Sequence, residues 1–294
     1  MYPGFPGLGW ITPYGVLLVL ACVAAWWLAR RRAAATGLDP SHVDLALPLA
    51  FVGGAFFAGA MGWFLSSEQQ VAGDAYLAEG RLRLYAVVVV VLPLLFAYCR
   101  IAGLSFRRFA DVVAVPALAF MAVIRIGCFL AGCCFGDVSG HADAVARIGD
   151  ASLRLQVQTV DWLSRWQAPW AVEFPAGSFA QEQHVALGMI EPGAAASLPV
   201  HPVQLYETLL VGLLALAIAR RRPAFTRPGS EALVALGGYA ALEFLLEFLR
   251  ADNALVLGPL TFNQLVCAAW LAIALLLRGA APAPVNGVVS TPRP

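Results

Sequence analysis

Lysine is absent from the 294-residue chain, and all nineteen basic residues are arginine. That uniformity is first a mark of genome composition, and it also puts a planar, bidentate fork wherever a basic residue is used. Charge of either sign is scarce, at 13% of residues, where a soluble domain of this size carries roughly 25%. With 60% of residues hydrophobic, the deficit excludes an ordinary soluble domain and points to a polytopic membrane protein. A net charge of +1 offers no basic surface for nucleic acid. The six cysteines (22, 99, 128, 133, 134, 267) lack the paired short spacings, completed by a second pair or by histidines, that structural zinc uses. Nor do they form the framework of a small secreted domain. The first apolar segment has no basic residue before it and no cleavage site after it. Arg30-Arg31-Arg32 follows it instead, so it reads as a retained span and not as a removable signal peptide. The chain has no internal repeat.

Apolar runs are what the chain does have. A span needs about 20 largely apolar residues, and seven runs qualify, at 13–29, 44–65, 84–100, 111–132, 203–219, 231–249 and 259–277. Eleven arginines (30–32, 100, 107, 108, 220–222, 227, 278) then fall in loops on one side and five (81, 83, 147, 154, 165) on the other. The excess assigns the first side to the cytoplasm. The predicted fold is an all-α integral membrane protein of seven transmembrane helices, with the N-terminus outside and the C-terminus cytoplasmic. Residues 1–279 form one transmembrane domain, and the proline-rich 280–294 is a disordered cytoplasmic tail. The only long polar stretch, 137–200, is a small extracytoplasmic insert between the fourth and fifth helices. Its Trp162, Trp166 and Trp170, at spacing four, fit an interfacial helix with an aromatic face, or else the core of a small solvated cap.

One stretch concentrates the chemistry: Arg125-Ile-Gly-Cys-Phe-Leu-Ala-Gly-Cys-Cys-Phe-Gly136. An arginine at membrane depth is costly and by default functional, and Gly127, Gly132 and Gly136 remove bulk so that a backbone or ligand can approach. Other polar groups gather at the outer ends of the predicted spans: Tyr14, Tyr85, His201-Pro-Val-Gln-Leu-Tyr-Glu207, the stripe Glu243, Glu247, Arg250, and Asn263-Gln264. On a helix His201, Gln204 and Thr208 share a face, with Pro202 in the first turn. The cysteines at 128, 133 and 134 read as small packing residues beside a polar site. Adjacent residues on a helix point apart, which argues against a metal or redox centre.

These residues resemble the bacterial prolipoprotein diacylglyceryl transferase family over most of the chain. Tyr14-Gly15, Asp44 through Trp63, and Arg125-x-Gly127-x-Phe129-x-x-Gly132-x-x-x-Gly136 are similar to its successive motifs. His201-Pro-x-Gln204-Leu-Tyr206-Glu207 is nearly verbatim, and Glu247-Phe-x-Arg250-x-Asp252 resembles the end of its sixth helix. The resemblance implies transfer of a diacylglyceryl group from phosphatidylglycerol to the lipobox cysteine thiol in the signal peptide of a secreted prolipoprotein. The reaction would run at the outer face of the bacterial inner membrane, with membrane lipid as surroundings and without metal or organic cofactor. Arg125 and Arg250 would hold phosphate, and Tyr85 or His201 would serve as acid or base. Tyr14, Gly127, Cys128, Gly136, Gln204, Tyr206, Glu207 and Glu243 would line the substrate site. The chain departs from the pattern at several positions. Tyr85-Ala86-Val87 replaces the family's His-Gly-Gly, Ala60 and Glu243 replace arginines, and Cys128 and Cys133 replace an asparagine and a glutamate. A second expectation therefore stands beside the first: a lipid-binding or partner-binding membrane protein on the same fold, without transfer. A thiol-redox protein using the three cysteines is a third.

Overall fold

The computed structural model describes residues 12–69, 90–140, 166–186, 188–222, 225–250, 255–258 and 260–279. These form α1 (Pro13–Ala35), α2 (Ser41–Gln69), α3 (Val90–Ile101), α4 (Phe106–Ala131), α5 (Phe179–Ala186), α6 (Val203–Arg220), α7 (Ser230–Leu246) with a 3-10 turn Glu247–Leu249, β1 (Leu255–Leu257), β2 (Leu260–Thr261) and α8 (Phe262–Gly279). A helix occupies most of the described part of each of the seven predicted runs, and among the described residues the departures from an all-helical fold are the short antiparallel β1–β2 ladder and a few isolated bridges. Among the described residues, four helices are by length and composition long and apolar enough to cross a membrane: Pro13–Ala35, Phe106–Ala131, Val203–Arg220 and Ser230–Leu249. Ser41–Phe57, Val90–Ile101 and Phe262–Arg278 are shorter apolar helices.

Local chemistry sets the helix ends. Thr12 Oγ1 accepts the Gly15 amide at 3.1 Å with Pro13 opening α1, a side-chain cap joined to a preset first turn. Pro202 caps α6 from outside the helix, one position earlier than the sequence pattern suggests. α4 is the central helix, packed on α1, α6 and α7, while α8 packs on α7. Ala114, Val115, Leu118 and Ala122 of α4 meet Val211, Ala215 and Ile218 of α6 and Ala235 of α7. Outward faces carry Val19, Val23 and Trp27 on α1, Val52 and Phe56 on α2, and Leu275 and Leu276 on α8. Such an apolar exterior is a liability in water and the required surface in lipid.

The two ends of the bundle differ. At one end the buried Arg32 of α1 donates through Nε to Val112 O and through Nη2 to Asp111 O, both at 3.1 Å, and pairs with Glu231 of α7. Asp111 in turn accepts the Gly229 and Ala232 amides at 2.6 and 2.9 Å. The C-terminus of α1 and the N-termini of α4 and α7 are thus tied by charge. Those of the polar residues singled out above that are described gather at the other end. There the described part of the insert has its own core, made of Phe135, Val138, Phe174, Ala180 and Val200. The tryptophan expectations are corrected here. Trp162 lies outside the described residues, while Trp166–Trp170 is not helical and both of its tryptophans are partly exposed. Pro169 explains it, because proline removes an amide donor and drives Ala168 out of helical geometry.

Candidate active site

Three packed helices build the centre of the site. Arg125 lies on α4, almost two turns before its end, and is 6% exposed. Its Nε is 2.6 Å from Glu207 Oε1 on α6, and its Nη2 is 3.2 Å from Glu243 Oε1 on α7. The Tyr239 hydroxyl lies 3.0 Å from Glu243 Oε1 and 3.4 Å from Glu207 Oε1, so one phenol bridges the two acids. Removing these charges from water costs several kcal/mol each, and one guanidinium answers two carboxylates, with the Tyr239 hydroxyl supplying a further hydrogen bond. Tyr239 is missing from the sequence reading. Its place four residues before Glu243 on one helix face was the available signal.

The end of α4 positions everything that follows. Gly132 adopts φ 69°, its amide reaches Phe129 O at 3.1 Å, and the Cys133 amide reaches Cys128 O at 3.1 Å. This pair of bonds is a Schellman turn, which favours glycine because its left-handed residue carries no Cβ penalty. Cys134 also has positive φ, at 58°, and is the only non-glycine to do so among the described residues, at a cost of about 1–2 kcal/mol. These two turns fold the chain back on itself. The sulfurs of Cys128, Cys133 and Cys134 lie within 4.8 Å of one another, which corrects the expectation that neighbouring thiols point apart. The helix stops before Cys133, so helical geometry does not apply to it.

The loop then locks onto α6. Gln204 Nε2 donates to Cys133 O at 2.7 Å, and the Gly136 amide donates to His201 O at 2.9 Å. A Cβ on Gly136 would sit 2.6 Å from that carbonyl oxygen and 2.6 Å from Val203 Cγ2, so only glycine fits. Gly127 admits a neighbour in the same way, since a Cβ there would lie 3.2 Å from the Tyr14 ring. Tyr14 is thereby placed beside Arg125's helix. Gly136 also pairs with Arg250 in an antiparallel bridge, and the Asp137 amide donates to Leu249 O at 2.7 Å.

That bridge corrects the predicted stripe. Arg250 has extended geometry (φ −90°, ψ 138°) beyond the 3-10 turn, so it leaves the helical face shared by Glu243 and Glu247. Glu243 serves Arg125, whereas Glu247 accepts from Thr261 Oγ1 at 2.8 Å and Asn263 Nδ2 at 2.7 Å. Arg250 Nε is 3.8 Å from Glu247 Oε2, beyond hydrogen-bonding distance. His201 is 1% exposed, with the Trp166 ring 4.9 Å away at 30° and Nδ1 3.4 Å from the Tyr206 hydroxyl. Burial lowers its pKa below the usual histidine value, which favours the neutral imidazole. Tyr206 Oη accepts from Trp170 Nε1 at 2.6 Å. Three buried atoms form no well-aligned hydrogen bond among the described residues: Arg125 Nε, which nevertheless lies 2.6 Å from Glu207 Oε1, His201 Nε2 and Gln204 Oε1. Tyr85 lies outside the described residues.

With this geometry in hand, the comparison with known proteins is specific. The prolipoprotein diacylglyceryl transferase family profile matches residues 7–278. The chain belongs to that family. It is 30% identical over 256 residues to the phosphatidylglycerol–prolipoprotein diacylglyceryl transferase of Proteus mirabilis, covering 82% of this chain and 77% of that protein. The proteins of the same name from Nitratidesulfovibrio vulgaris and Methylococcus capsulatus are 26% and 27% identical, over 92% and 91% of this chain and 91% and 90% of theirs. The family match spans every helix that contributes to the Arg125 centre. Glu243, where the resemblance leads one to expect an arginine, has a partner in Arg125.

Proposed function

We propose that this chain transfers the diacylglyceryl group of phosphatidylglycerol to the lipobox cysteine thiol in the signal peptide of secreted prolipoproteins. In this reading the sulfur–carbon bond forms as the carbon–oxygen bond to phosphate breaks, the thiol gives up its proton, and glycerol phosphate leaves. The observation that carries it is that His201 Nε2, just before α6, and Gln204 Oε1, about one turn of α6 before Arg125's partner Glu207, are both unsatisfied. Buried polar atoms are nearly always paired, and two orphans in one polar layer suit a substrate that brings its own hydroxyls and phosphate. Arg125 and Arg250 hold the phosphate and stabilise its developing charge. His201, kept neutral by burial, accepts the thiol proton, with Tyr85 the other acid–base group. Tyr14, Gln204 and Tyr206 orient the glycerol, Glu207 and Glu243 set the position of Arg125, Gly127 and Gly136 let the Tyr14 ring and the His201 backbone pack close against the substrate site, and Cys128 lines it.

The same reading puts seven spans across the bacterial inner membrane. The N-terminus and the insert 137–200 are outside, and the C-terminal residues 280–294 are in the cytoplasm. Its support is the division of the bundle into an arginine-rich end, tied by Arg32, Asp111 and Glu231, and a site-bearing end. The test is a transfer assay with purified protein, phosphatidylglycerol and a lipobox peptide, read as a mass increase on the peptide cysteine. Arg125→Ala abolishes the product, and a well-folded parent that transfers nothing refutes the proposal.

One observation favours a second reading, lipid or partner binding without transfer. Arg125 is already answered by two carboxylates, and a phosphate must compete with both. A chain that binds phosphatidylglycerol but fails to complement a transferase-depleted bacterium, at normal expression, has this second role.

A further inference from the structure

We propose that Cys128, Cys133 and Cys134 form a three-sulfur site for a soft, thiophilic metal ion of the zinc type. The proposal goes beyond lipid transfer and does not depend on it. Sulfurs bound to one zinc-type ion at about 2.3 Å sit about 3.8–4.0 Å apart. The three sulfurs here already lie within 4.8 Å of one another, so closure on an ion needs only side-chain rotation.

The backbone builds this convergence. The Schellman turn at Gly132 returns Cys133 over the last turn of α4, and its sulfur rests 3.7 Å from Cys128 O. Positive φ at Cys134, a conformation that side-chain-bearing residues rarely adopt, brings the third sulfur to the other two. The loop cannot easily relax, because Gln204 fastens Cys133 O and His201 O fastens Gly136 N. All three cysteines are free. The donor set contains sulfur alone, which selects thiophilic ions over magnesium or calcium. On binding a divalent ion the three thiols release three protons and form three metal–sulfur bonds. The resulting single negative charge lies beside the chain pairing of Gly136 with the cationic Arg250. A three-ligand site keeps a fourth position for water or another donor.

The experiment titrates reduced full-length protein in detergent, under anaerobic conditions, with cadmium alone. It reads the near-ultraviolet cadmium–thiolate band and then displacement of cadmium by zinc. One ion per chain is expected, with the band intensity of three thiolates. Cys134→Gly, which suits the positive φ and so keeps the fold, and Cys133→Ser each weaken binding by about 100-fold or more, since even the loss of a supporting group costs 10–100-fold. A variant carrying Cys22→Ala, Cys99→Ala and Cys267→Ala binds as the parent does. The proposal is overturned if the parent shows no stoichiometric band or if the band survives in Cys134→Gly. It is also overturned if protein taken from the membrane holds two of the three cysteines as a disulfide, which would make the trio a redox pair.

Discussion

Replacing Arg125 with methionine tests whether the charge cluster is as tightly balanced as its geometry implies. The substitution leaves Glu207 and Glu243, 2% and 4% exposed, facing each other across Tyr239 without a cation. Removing one partner of a buried ion pair costs about 3–5 kcal/mol, and here one arginine serves two acids, so the upper part of that range applies. At 1.4 kcal/mol per factor of ten this is a loss of roughly three to three and a half orders of magnitude in the folding equilibrium. Adding Glu207→Gln and Glu243→Gln to Arg125→Met removes the uncompensated charges and keeps amides that Tyr239 can still bridge. Replacing a buried ion cluster with neutral groups is often close to neutral, so the triple variant recovers to within about 1–2 kcal/mol of the parent. Equilibrium unfolding in mixed detergent measures both variants, and the lipid-transfer assay runs in parallel. Activity is absent in both, while stability is lost only in the single variant. A triple variant no more stable than Arg125→Met would refute the charge-balance reasoning. An Arg125→Met protein within 1 kcal/mol of the parent would show that the arginine is not held as described.

Three further outcomes follow from the same structure. Gly136→Ala loses about 1–3 kcal/mol, toward the upper end because the obstruction is the His201 carbonyl, and the loss is read in the same unfolding assay. Because burial depresses the His201 pKa, the unfolded chain takes up the proton first as pH falls. His201 therefore contributes a stability loss that begins below about pH 6.5 and levels off once the folded histidine also titrates. His201→Gln removes that slope from a stability–pH series, and an unchanged slope would assign it to other groups. Arg32→Leu strands Glu231, 3% exposed, at the opposite end of the bundle. It costs about 3–5 kcal/mol without altering the KM for lipid among molecules that remain folded.

Much of this was legible because membrane depth and helix length are linked, and each long apolar run had to find a helix. The positions of Arg125, Gln204 and Glu207 near one end were readable for the same reason. Their partners were not, because an ion pair between α4 and α7 depends on how two helices rotate against each other, which no local pattern encodes. Arg250 was misjudged as part of a helical stripe for a similar cause, since its pairing with Gly136 pulls it into extended geometry. Trp166 and Trp170 were different, because Pro169 between them already signalled that the spacing of four was not helical. The convergence of three thiols lay between these cases. Gly132 announced a helix stop, but nothing in the letters announced a left-handed Cys134.

The two buried arginines show why Arg125 carries a functional reading where Arg32 does not. Both sit in apolar helices and both answer buried carboxylates, so burial and pairing alone do not separate them. Arg32 spends its fork on fixed partners, two backbone carbonyls and Glu231, and Asp111 beside it is filled by two amides. Every polar group there is consumed in joining α1, α4 and α7, and the end is a clamp. Around Arg125 the accounting does not close. One guanidinium answers two carboxylates, and His201 Nε2 and Gln204 Oε1 are buried without partners among the described residues. Buried polar groups are nearly always paired, so the proposed function, which brings a polar substrate to this end and none to the other, accounts for the difference.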